Sequence, residues 1–145
     1  MDYSKLSNAE IDALCADAIG EYVDEEGDRV ELRRASVTLD RHDGAMMRWP
    51  SMDNDAGVGE RWHPWCPSLG AECEDVKRDI ERRGWNWTCE YKRSDEGTKM
   101  YRFRIALRFG ENNARRDERS HVDRAEARAC CVAFLLAVEA TKGER

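Results

Sequence analysis

The chain has 145 residues, 41% of them hydrophobic and 37% charged, with a formal net charge of −6. That length fits a single domain, residues 1–145, and the apolar content supports a packed core, which excludes a chain disordered by composition. The longest apolar run, residues 129–138, falls short of the roughly 18 residues a membrane span needs, and the first residues lack a basic-then-apolar export pattern, so the expectation is an intracellular chain with no membrane partner.

Near the start, Ser7, Asn8, Ala9 and Glu10 form a capping box, with Leu6 and Ile11 at the positions of a hydrophobic staple. Ile11, Leu14, Cys15, Ala18 and Ile19 then recur at helical spacing, which predicts a helix over 8–22 with Glu10, Asp12, Asp17 and Glu21 on its opposite face. The acidic turn 24–28 ends it. Residues 24–62 read as an irregular insertion. Within it, Val30 with Leu32 and Val37 with Leu39 mark two short strand pieces. Asp43 and Gly44 signal a hairpin that pairs residues 37–39 with 46–49.

Residues 50–59 are a loop by composition, and the two prolines in Trp62, His63, Pro64, Trp65, Cys66 and Pro67 argue against regular structure there. Ser68 is placed to cap a helix that begins at Leu69, carries Cys73, Val76 and Ile80 on its apolar stripe, and stops at Gly84. Clean alternation follows. Trp85, Trp87, Cys89 and Tyr91 share one face, and after a turn at 94–97 so do Tyr101, Phe103, Ile105, Leu107 and Phe109. A polar loop, 110–120, leads to a closing helix that is apolar on nearly all sides, capped by Ser120 or Asp123 and ended by Gly143. The expected fold is α+β: an antiparallel sheet with a central Trp-rich hairpin packed by two to three helices, in the order helix, short strands, helix, hairpin, helix. Of the six cysteines, Cys15, Cys73, Cys89, Cys130 and Cys131 lie inside apolar patterns, and reduced core thiols are the expectation.

Three segments carry a family resemblance. They are the opening run from Leu6 to Leu14, the Pro64, Trp65, Cys66, Pro67, Ser68 turn before a helix, and the Gly84–Trp85 hairpin followed by the Ala-rich stretch from Arg124 to Phe134. Together they resemble the small bacteriophage proteins described as having a phage alpha-beta-alpha sandwich domain. The resemblance covers about two-thirds of the chain. It implies a phage origin and residence in the cytoplasm of a bacterial host, and it transfers no activity.

Charge and rings supply the candidate sites. Residues 1–28 hold nine acids and one base, whereas residues 92–116 hold eight bases and three acids. The acidic pole (Glu10, Asp12, Asp17, Glu21, Asp24, Glu25, Glu26) and the rings of Trp62 and Trp65 are candidate contacts for a host protein. Trp62, His63 and Trp65 with Arg102, Arg104 and Arg108 are an alternative site that stacks a nucleotide ligand. The basic strip alone offers a nucleic-acid surface, a reading that ranks behind the other two. Self-association into a homo-oligomer stays open. No cofactor or metal is expected: His63 and Cys66 make a single close pair, and a calcium loop counted from Asp53 places Val58 and Pro64 where Gly and Glu belong. With no nucleophile beside a base in the sequence, the expected function is non-catalytic. It is that of a phage accessory protein that binds stoichiometrically, as anti-CRISPR-like inhibitors of host antiviral defence do.

Overall fold

The computed structural model describes residues 2–36, 40, 42–52 and 62–142. The expected strand at 37–39, the candidate calcium loop and the stop at Gly143 lie outside them. The fold is α+β, with three helices and two antiparallel sheets in place of the one expected.

Helix α1 (Asn8–Ile19) starts as its sequence dictates: Ser7 Oγ accepts the Glu10 amide at 3.2 Å. It ends earlier than 22, because Gly20 takes φ 73° and returns its amide to the Ala16 carbonyl. The chain then reverses into β1 (Glu21–Val23), β2 (Arg29–Arg34), β3 (Ala45–Arg48) and β4 (His63–Trp65), a sheet ordered β1-β2-β3-β4. Residues 24–62 thus contribute β2 and β3 to a sheet, and the partner of β3 is β2, with Leu32 opposite Met47. The prolines did not prevent β4. It is an edge strand, where Pro64, opposite Met46, has no ladder amide to supply.

Helix α2 (Cys73–Arg82) begins four residues later than the Ser68 signal predicts. Ser68 is itself buried in a short 3-10 turn and Leu69 projects outward, while Cys73, Val76 and Ile80 form the expected buried stripe. The second sheet, β5-β6-β7, joins β5 (Asn86–Arg93), β6 (Lys99–Phe109) and β7 (Arg115–Asp123). The β5–β6 turn closes through Gly97 at φ 81° and Ser94 Oγ, which accepts the Thr98 amide. Most of the predicted loop 110–120 is strand β7, and Ser120 is inside it.

Helix α3 (Glu126–Thr141) lies on β6 and β7 and also meets α1 and α2, while α1 rests on β2 and β3. It is therefore covered on most sides, which accounts for its unbroken apolar run. Phe134, Phe103, Ile105, Trp65, Ile11 and Ile80 fill one core between the sheets. Each such side chain stabilises by about 1.5–3 kcal/mol relative to exposure.

Candidate functional site

Strand alternation and register define the two faces of the β5-β6-β7 sheet. One carries Trp87, Cys89, Phe103, Ile105 and Leu107 toward the helices. The other is open. It presents Thr88 and Glu90 from β5, Arg102, Arg104, Ala106 and Arg108 from β6, and Arg116, Glu118, Ser120 and Val122 from β7. Register places Arg102 between Glu90 and Val122, Arg104 between Thr88 and Ser120, and Arg108 beside Arg116. Adjacent outward residues on one strand are about 7 Å apart, so Arg102 and Arg104 make a row of planar donors.

Glu90 reaches Arg104 at 3.8 Å and Lys92 at 3.9 Å, distances that leave both guanidinium and ammonium available in water. Among the described residues, Arg102, Arg108 and Arg116 form no ion pair. The sequence pattern found Arg102, Arg104 and Arg108. It missed Arg116 and Val122, because β7 carries charge on both faces and shows no period of two.

The acidic pole is dispersed, and much of it is engaged within the chain. Asp12 does not belong to the surface. It is 2% exposed, because the turn at Pro67–Leu69 closes over α1 and the Ser68 amide donates to Asp12 Oδ1 at 2.9 Å. Burial pushes its carboxyl up, opposed by that hydrogen bond. Asp17 pairs with Arg34 at 2.5 Å, Glu21 lies 3.9 Å from Arg29, and Glu25 pairs with Arg78. Asp24 shapes its turn: Oδ1 accepts the amides of Glu26 and Asp28, Oδ2 accepts Trp49 Nε1, and these bonds, the Asp28 amide first, hold its carboxyl below the usual range. Asp24, Glu26 and Asp28 bring one oxygen each within 4.8 Å of one another, an exposed acidic group that points to no particular ligand. Glu10 and Glu26 remain exposed.

The rings are also used internally. Trp65 is fully buried and is corrected from contact to core; its Nε1 donates to Asp75 Oδ2 at 3.0 Å, where the Tyr22 hydroxyl also donates. Trp62 has the Arg33 and Arg48 guanidiniums 4.3 and 5.2 Å from its ring centre. His63 is exposed, 6.0 Å from Trp49. Neither ring is brought near Arg102, Arg104 or Arg108, which belong to the other sheet.

One thiol meets a base. His42 Nε2 lies 3.4 Å from Cys66 Sγ. Burial, and then the charges of Asp12 and Glu72, push the Cys66 thiol up, the opposite of what a nucleophile requires. His121 and Asp123, 3.3 Å apart, have structural work. Asp123 accepts the Ala125 amide at the start of α3 and the Arg128 guanidinium. No described helix is long and apolar enough to cross a membrane. Comparison with protein-family models, curated proteins and solved structures gives no match.

Proposed function

We propose that this chain is a phage accessory protein that works without catalysis, by binding a host protein stoichiometrically and thereby blocking a host antiviral system. The phage attribution rests on the resemblance carried by residues 6–14, 64–68 and 124–134. The observation that carries the binding reading is the uncovered face of the β5-β6-β7 sheet, with Arg102, Arg104, Arg108 and Arg116 displayed, Val122 beside Arg102 on β7, and Met100, opposite Lys92, at the end of the row.

That mixture favours a protein partner. Arginine and methionine are enriched at protein interfaces, and Glu90 and Glu118 among the bases suit a partner of mixed, predominantly acidic charge. The acidic pole, the first expectation for the contact surface, has fewer free groups once its internal ion pairs are counted.

Affinity capture from bacterial lysate tests this with two chains, the parent and Arg102→Glu/Arg104→Glu. The parent is expected to retain one host protein near equimolar amounts, and the double reversal to lose it by at least about tenfold with unchanged circular dichroism. Equal recovery by both chains, or none by the parent, counts against the proposal.

The arginine row gives nucleic acid a second claim on the same face. Binding of a single-stranded oligonucleotide that weakens steeply with salt supports that reading. A nucleotide ligand at Trp62 has less room, since the chain's own Arg33 and Arg48 lie against that ring.

A further inference from the structure

The β5-β6-β7 sheet has two edges of opposite character. β7 carries charge at most positions, whereas between Asn86 and Tyr91 of β5 the only charged residue is Glu90, and there is no proline. β5 keeps an unbroken register with β6, from Asn86 opposite Ala106 to Arg93 opposite Lys99, so no bulge turns its outer edge away. Among the described residues, none outside β6 hydrogen-bonds to the backbone of Asn86–Arg93. Helix α2 reaches this strand from the helix side, where Glu81 Oε1 accepts Trp87 Nε1 at 3.2 Å and Lys77 Nζ lies 4.8 Å from the ring centre. Asn86 and Thr88 are exposed, and so is Tyr91, 49% open beside its edge-on neighbour Tyr101. A long edge of this kind is a template for another strand.

We infer that β5 is a self-recognition edge, on which a second copy of this chain lays its own β5 antiparallel about a two-fold axis at Cys89, so that two three-stranded sheets become one. A two-fold pair of identical strands makes every contact twice, and its register is therefore decided by the pairs it creates. With Cys89 on the axis, Asn86 faces Lys92, Trp87 faces Tyr91 and Thr88 faces Glu90 of the other copy. No like charges stand opposite each other, and each exposed Tyr91 ring meets a half-buried Trp87. An axis at Glu90 sets that carboxylate opposite itself and Trp87 opposite Arg93. An axis at Thr88 ends the pairing at Glu90 and leaves Tyr91 uncovered. An axis between two residues brings inward side chains beside outward ones, Trp87 beside Lys92 for example.

The other edge fails the same construction. Pairing β7 with itself over its whole length, Arg115–Asp123, puts Arg119 on the axis opposite its own copy. An axis through a residue of β5 also keeps the helices of both copies on one side of the joined sheet and both open faces on the other. Arg102 and Arg104 of the two copies then share one continuous surface. The pairing itself draws only on β5 and stands whether or not that surface binds a host protein.

The test uses the purified chain alone. Sedimentation equilibrium is expected to show a monomer–dimer equilibrium. Thr88 stands opposite Arg104 within its own sheet, so Thr88→Glu adds a favourable pair inside the chain while setting a carboxylate against Glu90 of the other copy. It is expected to weaken the dimer about tenfold with unchanged circular dichroism, and Thr88→Lys to strengthen it. Register is read by crosslinking in a Cys89→Ser background, with chains carrying Thr88→Cys mixed with chains carrying Glu90→Cys and oxidised mildly. The mixture is expected to form a disulfide between position 88 of one chain and position 90 of another. Neither chain alone links at its new thiol, because two copies of position 88 are about 8 Å apart in this register, beyond a disulfide's reach. A parent that stays monomeric up to about 1 mM overturns the inference. So does a dimer that Thr88→Glu leaves unchanged, or a mixture that forms no such link.

Discussion

Asp12 and Trp65 show how an element's packing reassigns a side chain. Asp12 follows Ile11 on α1 and sits about 100° round the helix, at the border of the buried stripe, where the 67–69 turn seals it from water. Its carboxylate then has one strong partner, the Ser68 amide. Asp12→Ala is expected to cost about 1–3 kcal/mol in urea unfolding, since it orphans that amide. Asp12→Asn keeps an acceptor without a buried charge and is expected to cost less at neutral pH. The folded-state pKa of Asp12 is raised. The stability it contributes is therefore fully present below the unfolded value of about 3.9 and is lost as pH rises through the folded value. The parent chain should accordingly lose ground to Asp12→Asn across that rise; an advantage of the parent that grows with rising pH contradicts the assignment. Trp65→Ala is expected to cost about 3–5 kcal/mol, as an emptied core site does, and to free Asp75 from one of its two donors. A surface ring would cost almost nothing.

Elements differ in how plainly the sequence announces them. The α1 start and the β5–β6 hairpin were legible because local chemistry agrees with the fold there: Ser7 caps, Gly97 turns, and Phe103, Ile105 and Leu107 alternate. β7 was hidden. Arg115, Arg116, Asp117, Glu118 and Arg119 look like a solvated loop, and they form a strand because β6 offers eleven residues of backbone to pair with. The β2–β3 pairing is not evident from sequence, because the Asp43–Gly44 turn signal points to residues 37–39, the nearer segment, as the partner of 46–49. At the candidate sites, residue type was readable but spatial grouping was not: Asp12 reads as one acid of an open helix face, and only the closing of the 67–69 turn over α1 buries it. The charges on β7 have a use of their own, since an exposed edge strand recruits other chains unless charge blocks it. Arg116→Val/Glu118→Val/Ser120→Val is expected to form oligomers or aggregates at concentrations where the parent is a single species. Light scattering reads the outcome, and an unchanged mass means that β7 is protected by something other than its charges.

Across the whole molecule, the acidic turn 24–28 belongs to one sheet and the row Arg102, Arg104 and Arg108 to the other, with the helices packed between them. A compact chain of 145 residues has a radius of gyration of about 15 Å, so the two poles are separated by distances comparable with the range of a charge in dilute salt. At 0.01 M ionic strength the Debye length is about 30 Å, and an anionic surface approaching the basic face also feels the net charge of −6. At about 0.1 M it is about 10 Å, and the remote acids are screened while contacts at the face persist. Retention on immobilised heparin is therefore expected to pass through a maximum as salt increases, where an evenly charged chain shows only decline. Arg102→Glu/Arg104→Glu should abolish retention at every salt concentration. Neutralising Glu10 and Glu26, which have no part in the face, should raise retention at low salt and leave it unchanged near 0.1 M. If that neutralisation instead alters retention equally at all salt concentrations, the poles do not act separately, and the open face loses its claim to be an independent binding surface.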